Sequence, residues 1–270
     1  MLESLLLAYC LAVPGPVVEP MAPTAPVTAV RADMQVDKVS FKASDGTELE
    51  ASFFVPKGDD RAPAALLIHR AGGDRTELVN TASYLWKSGY AVLTIDLRGH
   101  GESIDKPENA YSALEDDDAR ARAWAFATRD VEAAARWLRG NKRVHTSNLT
   151  MVGVAEGSAL AVRQAVNDEN VRAVALLAPK REMLGFDLVE DLLELEGLPT
   201  YLFSSKSSRD ETQELADEIH DELGCKQFIT VEGTRAKTDG DILGEKKFPS
   251  ALCKPLKSIA FPKRDGGRRD

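Results

Sequence analysis

The feature that most constrains the fold of this chain is a regular alternation between short apolar segments and longer amphipathic ones. The apolar segments have the composition of β-strands that are buried on both faces of a sheet. They are Ala64–His69, Ala91–Asp96, Leu149–Val154, Val174–Pro179, Thr200–Ser205 and Gln227–Glu232. Segments of helical period lie between them, and two of these end at Gly89 and Gly140, where a helix C-cap is expected. The alternation predicts an α/β fold with a doubly wound, mostly parallel sheet of about eight strands.

A different pattern precedes the first apolar segment. Residues 36–43 and 47–56 alternate in polarity around a Ser-Asp-Gly turn signal at 44–46, which predicts an antiparallel hairpin at one edge of the sheet. With 270 residues and 43% hydrophobic composition, the chain is long enough to bury one substantial core. We expect a single domain over residues 36–262, followed by a basic, flexible tail over residues 263–270.

Residues 1–35 have the character of an export signal followed by a linker. The apolar run Leu5–Val13 resembles the core of a signal peptide, and a Pro/Ala-rich stretch follows it. Glu3 precedes the run and no Lys or Arg does, so a cytoplasmic location stays open beside the favoured periplasmic or secreted one. The run is too short to span a bilayer, and we expect no transmembrane segment. Export would permit a disulfide between Cys225 and Cys253 if their Cα atoms approach each other.

Composition also narrows the classes of partner. The net charge of -9 disfavours binding to the phosphate backbone of nucleic acid. The three cysteines match no zinc spacing and the four histidines are scattered, so we expect neither a metal nor another cofactor. The oligomeric state stays open.

The stretch "NLTMVGVAEGSALAV", from Asn148 to Val162, is the most informative motif for function. An apolar strand enters a tight turn and a helical pattern leaves it, with Gly153 and Gly157 at the two glycine positions of a GxSxG nucleophile elbow. The tip between them is Ala155, whose methyl group cannot act as a nucleophile. The pattern therefore predicts the backbone of a catalytic elbow without its reactive side chain.

The order of the motifs resembles that of the α/β-hydrolase family. "LLIHRAGGDR", from Leu66, is similar to the family's His-Gly-x-Gly oxyanion loop, and "IDLRGHGES", from Ile95, is similar to its Asp-x-x-Gly-His-Gly-x-Ser segment. The "RDVEAAARWL" helix and the elbow follow in the family's order, so the resemblance covers nearly all of the domain. It implies an α/β-hydrolase fold, and the short stretch between Pro179 and Thr200 leaves no room for a large cap.

The same resemblance implies a role for three positions that follow one another along the chain. The family has a nucleophile at the elbow, a carboxylate after a late strand and a histidine after the last strand. The nucleophile position holds Ala155. The carboxylate position falls on Ser208, or on Asp210 if the loop is shifted. The histidine position falls on Lys237, and the chain has no histidine beyond His220.

Other residues define an oxyanion or ligand-binding region by the same resemblance. The histidines of the two loops, His69 and His100, occupy positions that mainly make structural hydrogen bonds. The residues implied in oxyanion or ligand binding are His69, Arg70, Ala71, Gly72 and Glu156.

Two cationic residues near the elbow favour an anionic ligand. Arg70 replaces the usual glycine after the loop histidine, and Lys237 replaces the catalytic histidine, so a small carboxylate or phosphate ester is a candidate ligand near the elbow helix N-terminus. The alternative is that Arg70 pairs with Asp74 or Glu102 on a solvated loop.

Three functional classes follow from these observations. The favoured interpretation is an α/β-hydrolase-fold protein that has lost serine-hydrolase catalysis and acts by binding. The alternative is an active hydrolase of esters, lactones or acyl substrates, as in esterase-like and dienelactone-hydrolase-like proteins, with a site rebuilt from fallback residues. Those residues are Glu156, Ser158, Asp210 and Lys237. A purely structural subunit is the third class.

Overall fold

The computed structural model describes residues 34–195, 197–223 and 229–262. It contains an eight-stranded sheet and a separate two-stranded hairpin. The strands are β1 (Val36–Lys42), β2 (Glu48–Phe54), β3 (Ala62–Ile68), β4 (Ala91–Ile95), β5 (Val144–Val154), β6 (Val171–Leu177), β7 (Glu182–Met183), β8 (Phe186–Asp187), β9 (Thr200–Ser204) and β10 (Ile229–Gly233).

Helices connect most of the strands of the large sheet. They are α1 (Val79–Lys87), α2 (Asp117–Phe126), α3 (Thr128–Gly140), α4 (Gly157–Val166), α5 (Leu188–Leu193), α6 (Arg209–Leu223) and α7 (Phe248–Ala260). Short 3-10 turns occur at Arg75–Leu78, Pro107–Asn109, Tyr111–Ala113 and Asp239–Asp241. No helix in the described ranges is long and apolar enough to cross a membrane.

The strand order of the large sheet is β1-β2-β4-β3-β5-β6-β9-β10. β1 pairs antiparallel with β2, β2 pairs antiparallel with β4, and every other pair in the sheet is parallel. The predicted doubly wound sheet and its edge hairpin are therefore confirmed. The carboxyl ends of the parallel strands meet at one edge, where a ligand site is expected in a sheet of this kind.

Two apolar layers cover the two faces of the sheet, and β3 shows how one strand supplies both. Leu66 and Ile68 face the layer that contains α3, α4, α5 and α6, whereas Ala65 and Leu67 face the layer that contains α1 and α7. All four side chains are at most 1% exposed. Burial on both faces explains why the strand sequences are continuously apolar instead of alternating.

The structure also differs from the sequence-based expectations in some elements. β5 begins at Val144, five residues before the predicted start, and α2, α7 and the β7–β8 hairpin were not predicted. Between β6 and β9 the described chain forms only this hairpin and α5, which agrees with the expected lack of a large cap. The predicted signal segment, the basic tail, Cys225 and the start of the last predicted strand lie outside the described residues.

Candidate functional site

The turn between β5 and α4 has the backbone of a nucleophile elbow. Ala155 lies at its tip with φ +45°, a left-handed conformation that is uncommon for a residue with a side chain. A Cβ on Gly153 would lie 2.5 Å from Gly157 O, and a Cβ on Gly157 would lie 2.5 Å from His69 O. Both glycines are therefore required by backbone packing. The strained turn is present although the alanine at its tip gains no reactivity from it.

Ser158, the nearest hydroxyl to the tip along α4, is not presented to solvent. Its side chain is fully buried, and its Oγ donates a hydrogen bond to Gly153 O at 3.3 Å. This contact ties the first turn of α4 to the end of β5. The geometry supports the structural alternative for Ser158, a hydroxyl bonded within the helix start, over a nucleophilic role.

The loop after β3, residues 70–73, is the counterpart of the oxyanion loop, and its N–H groups all donate to groups of the protein. Arg70 N–H donates to Glu77 Oε1 at 3.3 Å, and Gly73 N–H donates to Arg70 O at 3.0 Å. Ala71 N–H donates to Glu156 Oε2 at 3.1 Å, and Gly72 N–H donates to His100 Nε2 at 3.1 Å. The Glu156 carboxylate is thus bound directly to this loop.

Glu77 is a second carboxylate at the same loop, and it was not among the residues predicted for the site. Its side chain is 11% exposed and forms an ion pair with Arg70, with 3.3 Å between Arg70 Nε and Glu77 Oε2. Burial raises the pKa of Glu77 to about 7, against the lowering effect of Arg70; nearby Asp74 and Glu156 raise it further. The expectation that Arg70 pairs with Asp74 or Glu102 is therefore wrong.

Glu102 pairs with a different cation, Arg75, which also contacts the Asp96 carboxylate. Glu77 was missed because it lies in the segment predicted as the following helix, beside the apolar stripe that begins at Leu78, where a charged side chain is expected to face solvent. The 3-10 turn at Arg75–Leu78 instead directs its carboxylate back to the loop. The packing is close, because a Cβ on Gly73 would lie 2.7 Å from Glu77 Oε1.

Hydrogen bonds with His69 and His100 hold the oxyanion loop in place. His69 Nε2 accepts from Leu97 N–H at 3.1 Å, and its Nδ1–H donates to Arg70 O at 2.7 Å. Burial, assisted by the nearby His100, lowers the pKa of His69 to about 3. Burial also lowers the pKa of His100, whose Nδ1–H donates to Arg98 O at 2.9 Å. Both rings are therefore neutral at physiological pH and act as structural groups.

An aromatic cluster, formed by His100, Tyr111 and Trp124, contacts the elbow through Trp124. His100 stacks with Tyr111 at a centroid distance of 4.6 Å and meets Trp124 edge-on at 5.8 Å. Trp124, on α2, is 1% exposed and donates its Nε1–H to Glu156 O at 3.1 Å. Glu156 is therefore bound through its backbone to α2 and through its carboxylate to the oxyanion loop.

The "DLRGHGES" motif builds a buried polar support for this region. Asp96 is 1% exposed and accepts from Arg75 N–H at 2.7 Å and Glu102 N–H at 2.8 Å. Arg98 makes a two-pronged contact with the fully buried Asp130 carboxylate. The motif's charged residues are therefore structural in the described part of the chain.

The family's carboxylate and histidine positions lie in the loops after β9 and β10. Ser208 is 5% exposed, and its Oγ donates to Asp239 Oδ1. Asp210 is exposed in the first turn of α6. Lys237 is also exposed, and only its backbone carbonyl joins the loops, accepting from Ser207 N–H at 3.1 Å. The structure thus positions Lys237 by its backbone and leaves its side chain exposed to solvent.

Asp239 was not identified from the sequence as the partner of Ser208. The Thr238-x-x-Asp241 capping box of the 3-10 turn Asp239–Asp241 is the local signal that would have placed an ordered turn there. In the described residues, no hydrogen bond or ion pair connects Ser158, Asp210 and Lys237 with one another.

Comparison with known proteins identifies the family. Residues 60–195 match the family described as serine aminopeptidase, S33, which is about half of the chain. A 31.7 kDa protein of Escherichia coli from the traX-finO intergenic region is 27% identical over 134 residues, which is 49% of this chain and 42% of that protein. The mouse sn-1-specific diacylglycerol lipase ABHD11 is 32% identical over 75 residues, or 27% of this chain and 24% of the lipase. The matched part thus spans less than half of either relative.

Solved structures share the fold at low sequence identity. The Pyrococcus furiosus esterase Pf2001 superposes with a TM-score of 0.63 at 15% identity, covering 84% of this chain and 89% of the esterase. A dienelactone hydrolase from Anabaena variabilis superposes with a TM-score of 0.62 at 19% identity, covering 84% of this chain and 96% of the hydrolase. Together with the family match and the elbow geometry, these likenesses establish that the chain belongs to the α/β-hydrolase superfamily.

Proposed function

We propose that this protein is a non-catalytic member of the α/β-hydrolase superfamily that acts by binding. The observation that carries the proposal is the hydrogen bond from Ala71 N–H to the Glu156 carboxylate, next to a methyl group at the elbow tip. In an active elbow enzyme, an N–H of this loop and the N–H of the residue after the nucleophile stabilise the developing oxyanion. Here the loop N–H of Ala71 already donates its hydrogen bond to the negatively charged carboxylate of Glu156.

The electrostatic consequence opposes acyl-transfer chemistry. Loss of one oxyanion donor typically costs a factor of about 100 to 1,000 in rate, and a nearby carboxylate adds repulsion toward the negative charge of the transition state. Glu156 therefore acts against the reaction even if a nucleophile approaches from outside the chain. Ala155 removes the nucleophile, so two independent features of the elbow oppose catalysis.

A rebuilt hydrolase site has weaker support. Ser158 is fully buried, whereas Asp210 and Lys237 are exposed. A serine becomes a nucleophile only with a base within hydrogen-bond reach, and Ser158 Oγ instead donates to a carbonyl. We therefore retain hydrolysis of esters, lactones or acyl substrates as the alternative that the experiment must exclude.

The expected small anionic ligand loses its main support at this site. Arg70 is already paired with Glu77, and a second carboxylate, Glu156, accepts a hydrogen bond from the N–H of the adjacent Ala71. We accordingly do not place an anion at the elbow.

The experiment is hydrolysis of 4-nitrophenyl acetate and butyrate by four purified proteins. They are the wild type, Ala155→Ser, Ala155→Ser with Lys237→His, and Ala155→Ser with Lys237→His and Glu156→Gln. We expect the wild type to match a protein blank and the triple variant to exceed the double variant, because the neutral amide removes the charge from the loop. Wild-type turnover well above the blank would overturn the proposal, and a Ser158→Ala control would then test the rebuilt site.

A further inference from the structure

A groove lined by arginines lies on the face of the sheet that α3 and α4 cover, and the elbow tip is not part of its lining. It is bordered by α2, α3, α4 and the turn between β7 and β8. The cationic side chains in its lining are Arg122, Arg129, Arg139 and Arg163, and we call it the arginine groove. Neither Ala155, Glu156 nor any residue of the oxyanion loop lines it.

Arg139 is held in place by a buried carboxylate. Its guanidinium contacts Asp168, whose side chain is 5% exposed, while Arg139 itself remains 31% exposed. Asp168 is fixed in turn by Gln164 Nε2 at 3.1 Å and by Asn170 Nδ2 at 2.9 Å. A guanidinium carries five N–H donors, so one buried carboxylate orients the group and leaves other donors available on the groove side.

Arg163 repeats this arrangement on α4. Its Nη2 lies 2.8 Å from Asp191 Oδ1, with 4% of the Asp191 side chain and 45% of the Arg163 side chain exposed. The guanidinium also lies over the Phe186 ring, at 5.6 Å from its centroid. A cation that is oriented before binding loses less side-chain entropy when a ligand arrives, which favours recognition.

The other two arginines extend the positive charge along the groove. Arg122 is exposed and has no ion pair in the described part of the chain. Arg129 makes a partly exposed pair with Asp45. Of the acidic groups in the lining, Asp168 is buried against Arg139, and Glu132 is paired with Arg136 at 2.7 Å.

The remaining lining acid, Glu169, is exposed. The lining thus carries four guanidinium groups against three carboxylates, a local excess of one positive charge on a chain whose net charge is -9. Repulsion from the rest of the surface weakens binding of a long polyanion such as nucleic acid, which would pass over regions of like charge. A short acidic segment that fits within the groove avoids this repulsion.

The dimensions of the groove agree with a short extended peptide. Its lining runs along α3 from Thr128 to Arg139, which corresponds to about 16 Å at 1.5 Å per residue. An extended chain rises about 3.3 Å per residue, so about five residues fit along it. Leu184, which is half-buried in the lining, provides apolar surface on which the stem of a bound side chain can pack.

From this charge, orientation and length, we propose that the arginine groove binds a short acidic segment of a partner protein. Carboxylates of the segment pair with the guanidinium groups of Arg139 and Arg163, and Arg122 and Arg129 provide the longer-range attraction. The proposal does not depend on the catalytic state of the elbow.

Binding is tested by fluorescence anisotropy with a fluorescein-labelled hexaglutamate peptide and the full chain in 50 mM salt. We expect saturable binding with a Kd below 1 mM, weakened at least tenfold in 500 mM salt because the contacts are partly exposed. The variant Arg122→Gln with Arg129→Gln should weaken binding at least fivefold. It keeps Arg139 and Arg163, whose removal would leave buried carboxylates unpaired.

The matched control is Arg235→Gln with Lys254→Gln, which changes the net charge by the same amount outside the groove. This control should bind hexaglutamate within twofold of the wild type. Equal weakening of both double variants would mean that net charge alone governs binding and would overturn the proposal. Absence of binding at 1 mM protein, or equal binding of labelled hexalysine, would overturn it as well.

Discussion

The elbow and the oxyanion loop differ sharply from the loops after β9 and β10. The first region keeps the backbone of a hydrolase site, with a strained φ of +45° at Ala155 and a glycine on either side that no larger residue can replace. The second region has Ser208 and Lys237 at the family's carboxylate and histidine positions. The family match, residues 60–195, includes the first region and ends before the second.

In these two regions, packing and chemistry constrain the residues separately. The elbow backbone touches β3 directly, and buried histidines and carboxylates bind the oxyanion loop to the core. These contacts stabilise the fold whether or not a nucleophile is present. The side chains of Asp210 and Lys237 are exposed, so only chemistry would constrain them.

The largest effect is expected from a change in the elbow backbone. Gly157→Ala would place a Cβ 2.5 Å from His69 O, a backbone atom that cannot move without disturbing β3. We expect a loss of about 3 kcal/mol or more in the free energy of unfolding, measured by urea denaturation. Gly140→Ala is the matched control, because a Cβ there meets nothing within 4 Å. Similar losses in both variants would contradict the packing argument.

An effect of similar size is expected at the polar support of the oxyanion loop. Arg98→Ala leaves the fully buried Asp130 carboxylate without its cation, which typically costs about 3 kcal/mol or more when a buried pair is broken. Arg136→Ala removes an exposed helical pair with Glu132, for which at most about 0.5 kcal/mol is expected. Comparable unfolding midpoints for the two variants would remove the structural role assigned to the motif.

A pH dependence is expected from Glu77, whose folded-state pKa of about 7 exceeds its ordinary value of 4.5. Between these values the folded protein binds more protons at Glu77 than the unfolded chain does, so its contribution to stability is present below pH 4.5 and falls toward pH 7. The change is on the order of 3 kcal/mol, since each pKa unit corresponds to about 1.4 kcal/mol.

His69 and His100 act in the opposite direction, because their folded-state pKa values are lowered and acid favours the unfolded chain at these groups. The difference between wild type and Glu77→Gln isolates the carboxyl contribution, since the amide oxygen still accepts from Arg70 N–H. We expect the unfolding free energy of wild type minus that of the variant to fall from pH 5 to pH 8. A difference that is independent of pH would refute the assignment.

The smallest effects are expected in the loops after β9 and β10. Lys237→Ala should change the free energy of unfolding by at most about 0.5 kcal/mol, because its side chain is exposed. Ser208→Ala removes a buried hydrogen bond to Asp239 and should cost about 1 kcal/mol. A large loss in Lys237→Ala would show that this region is as tightly constrained as the elbow.

The elements that could be predicted from the sequence are those with strong periodicity or unusual backbone requirements. The buried strands, the edge hairpin and the glycine pair around Ala155 all have such signals, and the structure confirms these elements. α2 carries no apolar stripe, since Trp124 is its one fully buried residue, so periodicity could not reveal it. α7 was obscured by Pro255 within the helix.

The partners of the site's charged residues were harder to predict for a different reason. The approach of Glu77 to Arg70 depends on the short 3-10 turn that contains Glu77. Asp74 caps this turn, but a cap does not reveal which group the Glu77 carboxylate will reach. The contact of Glu156 with Ala71 joins residues 85 positions apart. Sequence spacing identifies which residues follow a strand, but only the folded backbone determines which carboxylate reaches which amide.

Covalent labelling with a fluorophosphonate probe tests whether the elbow is chemically silent. Intact-mass spectrometry would compare the wild type with the variant Ala155→Ser, Lys237→His, Glu156→Gln after equal exposure. A silent elbow predicts no adduct on the wild type and an adduct at residue 155 of the variant. A stoichiometric adduct on wild-type protein would contradict it, because a nucleophile would then exist that the described site does not contain.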